Sequence, residues 1–252
     1  MKYKGFLTGL CSTIVLVGIW QIASMAVALP FILPTPGSVL ADSINLVITP
    51  SYAGMLLATC ARGIIAFLLS LFLSFVLGIT SGMYPAASAA LRPWMTIIKA
   101  TPVVSFILIA LLWFGSSTVP VFVAILMTMP VMTVAIAQGV RSSDTKLLEM
   151  AQVYHFSKLD ILFHIRLPSA MPFFLSGAGT SLGLTWKVVV AGEILSSPKY
   201  GLGSAMQTAK VHLETPRVFS LTIAAILLSI MTELLFDFFV FLSRRHITAD
   251  EA

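Results

Sequence analysis

Charge is scarce in this sequence, and that scarcity decides the class of molecule. Only 10% of the 252 residues are Asp, Glu, Lys or Arg, 58% are hydrophobic, and the mean hydropathy is +0.99. Soluble domains carry about 25% charged residues. A soluble chain this apolar has too little polar surface to cover its own core, so the composition reads as a polytopic membrane protein. Cysteine is nearly absent as well. Cys11 lies toward the inner face and Cys60 toward the outer face, in different hydrophobic runs, which argues against a disulfide. Four scattered histidines and two isolated cysteines give no metal-ligand spacing. The phosphate-cradling pattern Gly-x-x-x-x-Gly-Lys-Ser/Thr is missing, so hydrolysis of a nucleotide is not expected of this chain. Basic residues exceed acidic ones by five, but no basic cluster interleaved with aromatics suggests nucleic acid. The surplus fits loops held at an anionic leaflet.

With no water in the hydrocarbon, a spanning segment is a helix or a strand of a closed barrel, and runs of this length favour helices. A helix needs about 20 apolar residues to cross about 30 Å. Six stretches meet or approach that length: about 6–29, 60–83, 97–115, 119–138, 171–194 and 218–242, the second reaching back toward Met55. The run after Met1-Lys-Tyr-Lys is too long for a signal-peptide core and ends in no small-x-small cleavage site, so it reads as a retained first span. Pro30, Pro34 and Pro36 stop that span, and Ser38 is a candidate cap for a short amphipathic helix at the outer surface. No Pro- or Ser-rich linker divides the chain, which reads as one domain, 1–252.

Lys and Arg set the orientation. With the N-terminus inside, Lys2, Lys4, Arg92, Lys99, Arg141, Lys146, Lys158, Arg166, Arg244 and Arg245 fall inside or at the inner edge. Lys199, Lys210 and Arg217 fall outside, with Arg62 at an outer helix end. Both termini and the loop 139–170 are then expected in the cytoplasm.

That loop is a polar, helix-compatible island between two spans. Ser142, Ser143 or Asp144 is placed to cap a helix starting near Thr145. Leu147, Leu148, Ala151, Tyr154, Lys158 and Leu159 fall at helical spacing on one face, while Glu149, Gln152, His155 and Asp160 alternate with them. Pro168 is expected to end the segment and break the chain before it returns to the membrane.

The same loop resembles the cytoplasmic segment by which importer-type ABC permeases grip their ATPase: Glu-Ala-Ala, three residues, Gly, nine residues, then Ile-x-Leu-Pro. Glu149, Ala151, Ile165, Leu167 and Pro168 match, while Met150 replaces the first Ala and His155 replaces the Gly. Leu33-Pro-Thr-Pro-Gly-Ser-Val-Leu, Thr59-Cys-Ala-Arg-Gly, Gly78-Ile-Thr-Ser-Gly, Arg92-Pro, Thr101-Pro, Trp113-Phe-Gly, Trp186-Lys-Val-Val-Val-Ala-Gly-Glu and Tyr200-Gly-Leu-Gly resemble the nitrate/sulfonate/taurine branch of that family. Permeases for thiamine precursors and other vitamins share these shorter motifs. The resemblance implies an all-α, type I importer-like permease of about six spans with a cytoplasmic coupling helix, in a bacterial inner membrane. It implies a second permease copy, two cytoplasmic ATPase subunits that bind ATP and Mg, and an extracytoplasmic substrate-binding protein. It implies no catalytic group and no cofactor on this chain.

Charges inside spans are expensive and mark pathways or pairings. Lys187 is a candidate pathway cation for an anionic substrate, or else a snorkelling lysine or helix-pairing group. Trp186 and Glu193 are further pathway or gate candidates, Glu193 alternatively an interface salt bridge. Glu233 and Asp237 share a face of the last span: a proton relay, or carboxylates meeting basic groups at the inner surface. Gly177, Gly179 and Gly183 allow close helix approach or line a pore. Ser196–Gly203 reads as an outer turn, either ordinary or a docking or hinge segment. Three functions compete: an ABC import permease for a small organic anion or a vitamin precursor, an intramembrane enzyme, and an ion-driven carrier using Glu233 and Asp237. No serine–histidine or metal constellation in the spans supports the second.

Overall fold

The computed structural model describes residues 2–249, with side chains at 7–9 and 11–242; the expected inner cations Lys2, Lys4, Arg244 and Arg245 and the ends of the 1–252 domain fall outside the described side chains. The described residues are mostly helical, and none of them is in a strand. In chain order the helices are α1 (Lys2–Val27), α2 (Pro36–Ile48), α3 (Pro50–Met83), α4 (Pro85–Ala100), α5 (Val103–Ala110), α6 (Val119–Arg141), α7 (Thr145–Val153), α8 (Lys158–Ile161), α9 (Leu167–Ser196), α10 (Leu202–Val211) and α11 (Thr215–Ala249).

Among the described residues five helices are long and apolar enough to cross a membrane: α1, α3, α6, α11 and the continuous run from α8 through α9. The helix α4–α5 pair makes a sixth only if a bent pair counts as one span, because its halves meet at 96°. The expected single span 97–115 is therefore corrected. Thr101 is extended (φ −81, ψ 130) because the ring of Pro102 bars helical geometry before it, and α5 ends at Ala110. The second span starts at Pro50, before the expected start at 60 and its earlier limit near Met55. The surface helix after the first span exists as α2, but its cap is Thr35, whose side chain accepts from the Ser38 N–H at 3.1 Å, and not Ser38 itself.

Small residues decide the packing. The face of α3 that is buried reads Thr59, Gly63, Ala66, Ser70, Ser74, Gly78 and Ser81. In lipid, helices gain little from burying apolar surface, and close backbone approach supplies the van der Waals contact instead. A Cβ at Gly78 would stand 2.6 Å from Ile136, one at Gly82 2.6 Å from Val140, and one at Gly177 2.7 Å from Ala135. These contacts seat α6 between α3 and α9, so the expected packing role of Gly177 holds. Ser70 accepts from Thr128 Oγ1 at 2.7 Å and Ser74 donates to the Met129 carbonyl at 3.0 Å, so the hydroxyls on the seam find partners away from lipid. Ile107, Ala110, Val119, Val123 and Val189 close one end of this core. By contrast, α1 and the most apolar stretch of α11 have almost no fully buried residue.

Candidate functional site

Helix α7 stands apart from the apolar bundle, joined to the end of α6. Asp144 caps it, accepting from the Lys146 N–H at 2.8 Å. Its end is built by a reciprocal pair of backbone bonds. His155 N–H reaches the Gln152 carbonyl at 3.1 Å, and Phe156 N–H reaches the Ala151 carbonyl at 2.9 Å. This is the Schellman pattern, and it needs a left-handed residue, usually Gly, at the position His155 occupies. His155 has φ +52. The position where the related loop carries Gly is therefore a conformational requirement, and His155 meets it with strain. Ser157 then starts α8 with a capping box shared with Asp160.

The break expected at Pro168 lies instead at 154–157, and the chain is continuously helical from Lys158 to Ser196. A π-helical turn at Leu162–Arg166 precedes Pro168, with the Leu167 N–H bonded to the Leu162 carbonyl. The widened turn moves a carbonyl away from the proline ring, which would otherwise meet the carbonyl four residues back. Of the expected apolar face, only Ala151 is buried and Leu148 half-buried. Ile165 is buried and Leu167 half-buried. Leu147, Met150, Val153, Tyr154, Phe156, Leu159 and Phe163 are all exposed, with Glu149 exposed among them. An amphipathic helix followed by exposed aromatics, carried outside the bundle, has the surface of a docking element.

At the opposite end of the bundle lies a polar knot that sequence reading did not assemble. Glu193 is completely buried. Arg62 Nη1 donates to its Oε1, Thr59 Oγ1 lies 2.9 Å from Oε2, and the Gly203 N–H donates to Oε2 at 2.9 Å. Arg62 also donates to the Tyr200 carbonyl at 2.8 Å and the Ser117 carbonyl at 3.2 Å, and Thr59 Oγ1 accepts from the Leu202 N–H at 2.9 Å. One carboxylate thus ties α3, α9, the start of α10 and the 111–118 loop. The turn 196–203 fits against it because a Cβ at Gly201 would lie 2.7 Å from the carboxyl and one at Gly203 2.4 Å from the Val190 carbonyl. The sequence did offer a signal: Arg62 and Glu193 are opposite charges at the same end of two long spans.

Trp186 is buried against Gly63, where a Cβ would stand 2.3 Å from the ring, and its indole donates to Thr232 Oγ1 at 2.7 Å. Lys187 is exposed and has no hydrogen-bond or ion-pair partner among the described residues. It lines a cavity of about 470 Å³ between α9 and α11, with Val190, Ile194, Ile226 and Ser229. Glu233 accepts from Ser229 Oγ at 3.0 Å and packs on Gly183. No described basic group meets Glu233 or Asp237, and both are exposed. The structure brings Lys187 and Glu233 to the same α9–α11 seam and keeps Glu193 away from it.

Fold and site together define a polytopic helical membrane protein with a capped loop helix outside its bundle. The chain belongs to the binding-protein-dependent transport system inner membrane components, a family that matches residues 74–248. It is 30% identical over 219 residues to a probable ABC transporter permease protein of Brucella melitensis, covering 86% of this chain and 88% of that one. It is 27% identical over 205 residues to the taurine transport system permease protein of Escherichia coli, covering 78% and 73% of the two chains. The riboflavin transport system permease protein of Chloroflexus aurantiacus is 31% identical over 131 residues, 52% of this chain and 48% of that one. Among solved structures, an amino acid ABC transporter chain superposes with a TM-score of 0.62 at 15% identity, covering 79% of this chain and 95% of its own, which shows a shared fold. The chain is thus an ABC importer permease.

Proposed function

We propose that this chain forms half of an ATP-driven importer, pairs with a second copy of itself, and moves substrate by alternating access. The observation that carries this is α7: a capped, amphipathic helix presenting Glu149, Met150 and Val153 outside the bundle, closed by the turn at His155. A cytoplasmic ATPase dimer receives α7 in a groove, with Glu149 meeting a basic residue there. Movement of that partner travels from α7 into α6 and α9, which frame the loop and pack tightly against α3 through glycines. ATP and Mg belong to the partner. An extracytoplasmic binding protein delivers substrate to the end that carries Glu193, and both termini lie in the cytoplasm.

The substrate is a small anion, either nitrate or an organic sulfonate such as taurine. The unpaired Lys187 in its α9–α11 cavity and the taurine permease among the relatives support this. A vitamin precursor is the second reading, favoured by the riboflavin permease. Trp186 and Glu193 shape the pathway from outside it, as packing and anchoring groups.

The test is co-purification of the tagged chain with its neighbouring ATPase, wild type against Glu149→Arg. Loss of ATPase from a folded variant is the expected result. Equal recovery removes Glu149 as a docking contact. No recovery by wild type contradicts the reading and moves attention to an ion-driven carrier using Glu233 and Asp237.

A further inference from the structure

At the α7 end of the bundle, α4 lies along α6 and the cleft between them is lined by cations. Arg92, Lys99 and Arg141 line a cavity of about 210 Å³ together with Thr96, Thr133 and Gln138. No Asp or Glu lines it. Arg141 is fixed, donating to the Ser81 carbonyl at 2.8 Å and to Ser88 Oγ at 2.7 Å. The side chains of Arg92 and Lys99 have no hydrogen-bond or ion-pair partner among the described residues. At the back of the cleft Thr133 is only 3% exposed, and its hydroxyl has no partner. A buried hydroxyl in an apolar helix ordinarily bonds the carbonyl one turn back, as Thr128 and Thr185 do here. Thr133 does not, and a buried polar group without a partner is costly. A second cavity of about 480 Å³ adjoins the first, lined by Arg92, Arg141, Arg166 and Leu148. The Nε of Arg166 is likewise buried and unpaired.

We propose that this cleft binds a tetrahedral oxyanion of the phosphate or sulfonate class. Arg92 and Lys99 supply the charge, Arg141 stands as a fixed wall, and the Thr133 hydroxyl donates to the innermost oxygen. Guanidinium groups match such oxygens with parallel N–H donors, and the unpartnered Thr133 hydroxyl marks where the anion sits. The charge has two natural sources. One is the headgroup of an anionic phospholipid at a basic pocket between helices. The other is a soluble anion, including the cargo on its way out. The site stands independently of α7 docking, since it is read on the permease alone.

The experiment measures the thermal unfolding midpoint of the purified permease in zwitterionic detergent at constant ionic strength. Chloride is compared with sulfate, phosphate and methanesulfonate, and separately phosphatidylglycerol is compared with phosphatidylcholine. A ligand that binds only the folded state raises the midpoint. The expected result is a rise with at least one oxyanion arm that Arg92→Gln/Lys99→Gln abolishes, that Thr133→Val weakens, and that the distant Lys210→Gln leaves intact. A rise confined to phosphatidylglycerol assigns the site to lipid, and one with the soluble anions assigns it to a free ligand. Should the double variant not fold, Thr133→Val alone carries the comparison. No rise in any arm, or an equal rise in wild type and variants, overturns the proposal.

Discussion

The two ends of this bundle are built on opposite principles. At the Glu193 end a buried carboxylate is saturated by Arg62, Thr59 and the Gly203 amide, and four pieces of chain converge on it. At the α7 end cations stand unpaired, a helix projects from the bundle, and large apolar side chains remain exposed. One end ties a buried carboxylate into an internal network. The other leaves cations and apolar side chains open to partners. A transporter subunit that must move as a body needs both: a joint that keeps α3, α9 and α10 together, and a surface on which an outside force acts.

The largest expected effect breaks the joint. Glu193→Ala leaves Arg62 without its partner in a buried site, where removing one member of an ion pair costs about 3–5 kcal/mol. Thermal unfolding of the purified variant is expected to show the loss, with Glu193→Gln milder because the amide keeps an acceptor. The same assay on Glu149→Arg at the other end is expected to show no change. Next is Gly63→Val. Its Cβ falls 2.3 Å from the Trp186 ring, and overpacking of this kind costs about 1–3 kcal/mol. Tryptophan fluorescence is expected to shift as the indole loses its bond to Thr232.

Smaller effects sharpen the other side of the comparison. Asp144→Ala removes the α7 cap, worth about 1 kcal/mol of local helix stability. Amide exchange is expected to quicken in 145–149 and stay unchanged in 193–203. The smallest effect has the opposite sign. His155→Gly relieves a left-handed residue and is expected to slow exchange in α7, by about 1 kcal/mol at most because glycine loses more backbone freedom on folding.

The spans were legible because lipid leaves no alternative: the apolar runs around Phe67, Ala124, Gly179 and Ile226 each sit in a long helix. The start of α7 was legible from Asp144, since a cap acts within three residues. What failed was geometry set by neighbours. Thr101-Pro102 carried a break signal, yet the surrounding apolar run masked it, and the helix bends there by 96°. Pro168 was read as a stop, but the preceding π-helical turn absorbs it. The knot at Glu193 depends on pairing across long stretches of sequence: an interface salt bridge was one of the two readings of Glu193, but its partner Arg62 lies 131 residues away. His155 was recognised as a departure from the related loop, but its left-handed conformation appears only once the backbone bonds to Gln152 and Ala151 are in view.

The most direct test of this division is amide hydrogen exchange of the permease alone and in complex with its ATPase. The account predicts new protection confined to 145–166, with residues 193–203 already protected and unchanged. Protection appearing at 193–203, or none at α7, would contradict it.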